Sequence, residues 1–408
     1  MNSHYDVVIA GAGPAGLSAA FAAASDGASV LLLEQNSEIG SPTRTSGGSF
    51  LRELAELDIP EALLHPIQRV RFVSPHSSAA FAYDQPVMCI MDVRGVYQHL
   101  ATIAIQAGAT VSLATKVLDV LRDGGAVTGV RVETRTKSQV DVSAAVVIDA
   151  TGYKGHLLRQ AGISPRIQRF GVGAEFDMFA PGCDQNEAVL VVGSHFAPSG
   201  YGWVFPWGRH RVRVGVGVIH PDQHPDQNSD PVSLLGSFVA HAHDFGVNLT
   251  GAQPIEYHFG LIPSEMAENF VGDGILGIGD AAGHASTLVG EGIRWAIKAG
   301  RMAGGVAASA IKRGDVSSAF LSQFQSEWLR QNGRNLRIAN SINRKIAKWD
   351  DRKWDERTEL LSMLSPQEFA NALQSDFSVG WALGVAWAHP RLVKAGLDQI
   401  LRGVTATS

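Results

Sequence analysis

The segment YDVVIAGAGPAGLSAAFAAASDGASVLLLEQ, residues 5–35, admits few folds. The apolar run from Val7 to Ala10 predicts a buried parallel strand, and the small-residue stretch 17–24 predicts a helix. A second apolar run, 29–33, ends in the acid Glu34. Gly11, Gly13 and Gly16 stand in GxGxxG spacing at the strand-to-helix turn, which makes the whole a βαβ dinucleotide fingerprint. Gly11 permits the tight turn, Gly13 lets backbone approach a pyrophosphate, and Gly16 lets helix and strand pack closely. The helix N-terminus offers that pyrophosphate free N–H groups and a positive dipole end. A carboxylate at Glu34 accepts hydrogen bonds from an adenosine ribose. It favours FAD or NAD over the 2′-phosphorylated NADP.

A chain of 408 residues is expected to hold two or three domains or lobes. A formal net charge of −5 gives no general attraction for nucleic acid or anionic membrane. Cys89 and Cys183 are the sole cysteines, which excludes a disulfide framework and an all-cysteine metal site and suits a reducing cytoplasm. No His/Cys/Asp cluster has metal-ligand spacing, so no metal is expected. The N-terminus runs straight into a core strand without a signal-peptide pattern. No apolar stretch is long enough to predict a membrane span.

Further along, residues 49–64 have helical spacing broken at Pro60. Residues 70–81, 87–91, 111–121, 127–134 and 140–148 predict strands, and 95–107 a helix. Residues 166–220 are strand-like, 221–231 form a polar loop, a helix follows near 232–245, and 256–259 predict a strand. Residues 275–278 predict another buried strand, a long helix begins near Gly292, and 315–408 are helical throughout. The expected fold class is α/β (α+β): a discontinuous Rossmann-type dinucleotide-binding domain with an inserted antiparallel-sheet substrate domain and a C-terminal helical region. The expected boundaries are 1–75, 92–165 and 261–310 for the first, 76–91 and 166–260 for the second, and 311–408 for the third.

A second motif, GIGDAAGHASTLVGEGIRWAIKAG (277–300), sharpens the cofactor. The returning strand delivers Asp280 to its C-terminal tip, where ligands bind in open α/β sheets. A carboxylate there can hold the ribityl hydroxyls of a flavin. Gly290 and Gly292 open a helix whose N–H groups would stabilise an anionic reduced flavin ring.

With these motifs, and with Asp149-Ala150-Thr151-Gly152 between them, the chain resembles FAD-dependent oxidoreductases of the aromatic-hydroxylase fold. Within that fold it is most similar to the geranylgeranyl reductase family. The specific segment is Tyr201-Gly202-Trp203-Val204-Phe205-Pro206 followed by Gly215-Val216-Gly217, and residues 365–391 also resemble the family's C-terminal helices. The resemblance implies hydrogenation of C=C bonds in a prenyl chain by reduced FAD, with NAD(P)H or a ferredoxin as transient electron donor. Carried over by position, Ala15, Glu34, Arg94, Leu118, Asp280, Gly292 and Ile293 would contact FAD. So would Arg44, Thr45, Ser46 and Gly48 in the loop 40–48. The family places a cysteine in that loop, where this chain has Arg44-Thr45-Ser46-Gly47-Gly48. Thr287 likewise stands where the family and its hydroxylase relatives often have proline.

Thr45, Ser46 and His284 are the candidates for a catalytic role, His284 as a proton donor. Tyr201, Trp203 and Phe205 alternate along one strand face, where they could line a substrate tunnel or an inter-domain core. A basic stretch with Trp349 and Trp354, residues 330–357, suits a membrane surface, an acidic electron-donor protein, a substrate diphosphate or plain solvent. The apolar segment 377–393 predicts a core helix or tunnel wall. An apolar small-molecule substrate, no nucleic acid and at most peripheral membrane contact follow. The alternative chemistry is a flavin monooxygenase of an apolar or aromatic metabolite. A flavin halogenase is disfavoured, because it needs an N-terminal lysine and the first lysine here is Lys116. A redox-neutral role, with flavin as a scaffold, is a further alternative.

Overall fold

The computed structural model describes residues 3–164, 167–222 and 230–390. Four sequence-based expectations therefore fall partly outside the described residues: the start of the strand-like stretch 166–220, the middle of the polar loop 221–231, and the ends of the apolar segment 377–393 and the helical region 315–408. Among the described residues, eighteen strands form three sheets and eleven α-helices surround them.

The first sheet has the order β17 (Val271–Gly272), β18 (Ile275–Gly277), β11 (Gln139–Asp149), β1 (His4–Ala10), β2 (Val30–Leu33), β8 (Thr110–Ser112), with the hairpin β9 (Lys116–Asp123) and β10 (Ala126–Glu133) joined to β11. β18, β11, β1, β2 and β8 are mutually parallel. Buried on both faces, Val7 to Ala10 of β1 and all of β2 are accordingly continuous apolar runs. The strand after Asp273 thus returns to a sheet begun at residue 4, as the sequence predicts.

Helices α1 (Pro14–Ser25) and α6 (Ile293–Arg313) pack together on this sheet. Both helices present small residues, and the packing shows why. A Cβ on Gly300 would lie 2.2 Å from the Ala15 carbonyl oxygen, and one on Gly304 would lie 2.4 Å from that of Ala19. Backbone meets backbone, so the two N-termini converge at one edge of the sheet. α3 (Val93–Gln106), capped by Asp92, lies against α1.

The second sheet runs β16 (Gln253–Pro263), β12 (Phe170–Phe179), β15 (Arg211–His220), β14 (Tyr201–Gly208), β13 (Glu187–Val191), β5 (Arg69–Val73), β6 (Ser78–Ala82). Its pairs are antiparallel except β13 with β5. α5 (Pro231–Ala240) covers one face with Leu234, Leu235 and Phe238. A third sheet, β3 (Gly48–Phe50), β7 (Met88–Met91), β4 (Leu64–Ile67), bridges the two.

Two boundaries move. Residues 69–73, assigned from sequence to the dinucleotide-binding part, are a strand of the second sheet. Residues 88–91, assigned to the substrate part, belong to the third. The stretch 49–64 is not one helix: β3 precedes the single turn-and-a-half of α2 (Leu51–Ala55). α4 (His156–Gln160) follows the Asp149 turn and closes the first sheet.

The C-terminal helices are α7 (Ser318–Trp328), α8 (Arg334–Ile346), α9 (Asp351–Leu361), α10 (Pro366–Leu373) and α11 (Val379–Ala388). They fold back over the second sheet: Trp354, Phe369 and Leu373 pack with Phe72, Phe81 and Trp203 in one cluster. The buried Arg169 ties them there, donating to Asp222 Oδ2 at 2.8 Å, to Ser264 O at 3.0 Å and to Asn343 Oδ1 on α8 at 2.5 Å. No helix among the described residues is long and apolar enough to cross a membrane.

Candidate active site

A single continuous cavity of about 1900 Å³ lies between the first sheet, the second sheet and the C-terminal helices. Drug-sized ligand sites hold roughly 300–1,000 Å³, so this one has room for a dinucleotide and a second ligand together. Gly11, Gly13, Ala15, Glu34, Arg44, Thr45, Ser46, Leu118, Asp280, Gly290, Gly292 and Ile293 all line it. Tyr201 and Trp203 line it from the second sheet.

The fingerprint glycines divide their work as their positions predict. A Cβ on Gly11, whose φ is +108°, would sit 2.3 Å from the Ala150 carbonyl oxygen, and one on Gly16 would sit 2.0 Å from that of Gly11. Gly13 meets nothing within 4 Å. Gly11 and Gly16 are therefore packing glycines, and Gly13 faces the open space a ligand would fill. Glu34 accepts from Ala12 N at 2.9 Å and Asn36 N at 2.8 Å, which fixes its carboxylate at the cavity wall.

Neither α1 nor α6 has a side-chain N-cap. Two long helices thus present unsatisfied N–H groups and positive dipole ends near one cavity. The carboxyl of Asp280, between them, is pushed up to about 6 by burial. Thr287 Oγ1 is buried without a protein partner and lies on the same wall. An anionic dinucleotide carrying a hydroxylated linker suits each of these groups, so the residues fit FAD.

The second-sheet face explains the Tyr-Gly-Trp and Gly-Val-Gly segments together. Gly171, Gly173, Gly215, Gly217 and Gly260 share that face with Tyr201 and Trp203, because register pairs them across β16, β12, β15 and β14. The Trp203 indole lies across the glycines: a Cβ on Gly215 would be 2.3 Å from its Cζ2, on Gly217 3.3 Å from Cζ3, and on Gly173 3.4 Å from Cη2. The flattened ring sends Nε1 to Glu175 Oε2 at 2.7 Å. Tyr201 donates its hydroxyl to the Val289 carbonyl oxygen beside Gly290, and burial holds its phenol well above the usual range.

Several expected residues sit elsewhere. His284 does not line the cavity. It is fully buried among Phe270, Phe324 and Trp328, neither ring nitrogen has a partner, and burial pulls its pKa down to about 3. A neutral ring in an aromatic box cannot deliver a proton to a ligand it does not face. Phe205 turns away from the cavity into the cluster with Phe50 and Ile90, against Gly48, which is likewise off the wall. Arg94 is half exposed and paired with Glu38, outside the lining. Both cysteines are buried and remote from the lining, and burial raises both thiols, Cys183 to about 11.

The sequence reading missed three groups. Arg213 threads a guanidinium to Ser46 O at 2.8 Å and Met91 O at 2.9 Å, which pins the 40–48 loop to the second sheet. The buried Glu291–Arg294 pair, at 2.7 Å, also receives Ser49 Oγ at 2.7 Å and binds Gln374 O at 3.0 Å. The third group is Glu175 with His258, which line the cavity beside Trp203. The only sequence signal was parity: Glu175 stands at i+2 from Gly173 and i+4 from Gly171, a charged residue on a face otherwise cleared by glycine.

A dinucleotide fingerprint, a returning Asp280 strand and a large second chamber define the class: an FAD-dependent oxidoreductase. Comparison with known proteins agrees. Residues 6–187 match the model of the FAD dependent oxidoreductases, and residues 171–260 match the geranylgeranyl reductase catalytic domain. The digeranylgeranylglycerophospholipid reductase 2 of Methanopyrus kandleri is 30% identical over 96% of this chain and 98% of its own length. The digeranylgeranylglycerophospholipid reductase of Methanothrix thermoacetophila is 33% identical over 81% and 84%. The crystal structure of a geranylgeranyl bacteriochlorophyll reductase-like protein from Thermoplasma acidophilum superposes with a TM-score of 0.84 at 26% identity, covering 98% of this chain and 99% of that one. The chain belongs to the geranylgeranyl reductase family.

Proposed function

We propose that this oxidoreductase saturates C=C bonds of a prenyl chain carried by a lipid with an anionic head. The observation that carries the proposal is the continuity of the cavity. From the FAD-side residues it passes Tyr201 and Trp203 and continues into an apolar chamber walled by Leu361, Leu364, Phe369, Leu373, Phe377 and Trp381. Gly11, Gly13, Ala15, Glu34, Thr45, Ser46, Leu118, Asp280, Gly290, Gly292 and Ile293 are assigned to FAD. When bound and reduced, FAD supplies a hydride to one carbon of the double bond. The chain's own groups do the rest. The α1 N-terminus holds the pyrophosphate, and the α6 N-terminus stabilises negative charge at the far end of the cofactor. Trp203, fixed by its glycine bed and Glu175, walls the reacting carbons from water. The apolar chamber aligns the chain and excludes solvent from its length.

Arg344, Lys345, Lys348 and Lys353 stand on the α8–α9 side of the same cavity and match a phosphorylated head. Both named relatives act on a glycerophospholipid, which supports an anionic lipid here. Leu383 and Trp387 of α11 are 60% and 90% exposed, which supports peripheral contact with the membrane that holds such a lipid. The one other GxGxxG spacing in the sequence, Gly272 to Gly277, lies in the β17–β18 hairpin rather than at a strand-to-helix turn, so NAD(P)H or a ferredoxin would donate electrons transiently. The test is incubation of the dithionite-reduced holoprotein with a prenyl diphosphate and with a prenyl glycerolipid, read by mass spectrometry. Addition of hydrogen pairs supports the proposal. Unchanged substrate with both, or oxygen insertion in air, overturns it.

A further inference from the structure

Saturating a C=C bond adds a hydride to one carbon and a proton to the other. Reduced FAD would supply the hydride, but the proton needs a separate donor, and the expected one, His284, does not reach the cavity. Three groups on the second sheet supply what is missing. Glu175 on β12 and His258 on β16 are cross-strand partners, 3% and 4% exposed at the side chain, and both line the cavity. His258 Nδ1 donates to Glu175 Oε1 at 2.8 Å, and His258 Nε2 donates to Glu256 Oε2 at 3.1 Å. Glu256 is 54% exposed and sits in solvent. A carboxylate has no proton to offer, so both ring nitrogens facing carboxylates require one proton more than a neutral imidazole between two carboxylates can provide. The trio is built to hold an extra proton between solvent and cavity.

We propose that Glu256, His258 and Glu175 form a relay that carries the proton from solvent to the carbon of the reduced double bond. Glu175 is its cavity-side acid, and His258 and Glu256 are positioning residues acting through it. The inference rests on the C=C reduction reading. The π bond breaks and two C–H bonds form, one with hydride from reduced FAD and one with the proton that His258 holds at rest and passes through Glu175 to the carbon. FAD is oxidised and the alkene reduced. Glu175 returns to the carboxylate, and solvent recharges His258 through Glu256. Burial pulls the imidazolium down, but the hydrogen bonds to Glu175 and Glu256 outweigh it, and its pKa lies above the usual histidine value. The other charged groups facing the trio are Asp177 on β12 and Arg211 and Arg213 on β15. Asp177 takes both guanidiniums, at 2.8 and 3.4 Å; Arg213 still opposes the charge on His258, and the bonds to Glu175 and Glu256 outweigh it.

Two measurements test the relay. First, ring NMR of the FAD-loaded protein, with His258→Gln for assignment, reads the His258 titration directly. A midpoint above about 6.5 is expected, falling on Glu175→Gln; a midpoint at or below that value overturns the relay. Second, Glu175→Gln keeps an oxygen for the Trp203 N–H but cannot carry the proton. Its kcat is expected to fall at least about 100-fold with KM nearly unchanged. The basic limb of the kcat–pH profile should disappear. A kcat within a few-fold of the parent, or a loss confined to KM, assigns the trio to holding Trp203 and overturns the relay. If the parent saturates no prenyl substrate, the C=C reading fails on its own, and the ring titration still decides whether the trio holds its proton.

Discussion

Substituting Gly215 by alanine puts the site's geometry to its most direct structural test. Gly215 pairs with Trp203 on one side and Glu175 on the other. The indole crosses it to reach the carboxylate at 2.7 Å. The new Cβ would stand 2.3 Å from Cζ2 and 2.4 Å from Cε2, well inside ordinary contact. The backbone on both sides is in ladder pairing, so the ring must lift by more than an ångström, which breaks its hydrogen bond. Overpacking costs about 1–3 kcal/mol, and loss of a hydrogen bond to a buried carboxylate about 1.5–3 kcal/mol. Alanine recovers about 0.5–1 kcal/mol of strand entropy relative to glycine. The net loss is about 2–5 kcal/mol, a large share of a typical total near 5–15 kcal/mol. Urea unfolding followed by near-ultraviolet circular dichroism reads both the stability and the indole environment. FAD affinity should be nearly unchanged, because the dinucleotide residues lie on the other sheet. On a Trp203→Ala background the cost of Gly215→Ala should vanish. A loss below about 1 kcal/mol, or the same loss with and without the indole, would refute the account of this face.

Other substitutions separate cofactor, packing and charge. Gly13→Val should leave the apoprotein's unfolding midpoint nearly unchanged, since nothing lies within 4 Å, yet lower FAD affinity about 10- to 100-fold by flavin fluorescence titration. Gly300→Ala should destabilise by about 1–3 kcal/mol in denaturant titration, more than the ~1 kcal/mol of helix propensity it gains, because its Cβ meets the Ala15 carbonyl oxygen at 2.2 Å. His284, held near 3 against an ordinary 6.5, binds its proton only in the unfolded chain across that interval. Stability is therefore complete above about pH 6.5 and falls as pH drops toward 3, and His284→Leu should flatten that slope in pH-dependent unfolding.

Much of the nucleotide side was legible in the chain because its determinants are local. Strand, glycine turn, helix and acid follow one another within residues 7–34, and Asp280 stands in the tight turn just after its own buried strand. The elements misread are those whose identity depends on distant partners. Residues 48–50 look like the start of a helix but pair with 88–90, and 70–81 is a hairpin turned at Pro75–Ser77 rather than one strand. The same holds for the site. Tyr201 and Trp203 could be placed on one face by alternation. Phe205 obeys the same alternation, yet the third sheet covers its end of the strand. Glu175 and His258 are 83 residues apart in sequence and meet only through register. His284, adjacent to the Asp280 motif, turns inward because α7 brings Phe324 and Trp328 over it, which no local pattern announces.

On the proposed function, reduced FAD and a prenyl chain share this cavity and the chain leaves it saturated. Single-turnover reaction of the anaerobically reduced holoprotein with a prenyl lipid measures this most directly. Flavin absorbance would be followed alongside product mass. One flavin should be reoxidised per double bond, with gain of one hydrogen pair each time, in the absence of oxygen. Flavin that stays reduced until air is admitted, with oxygen then appearing in the product, would contradict it.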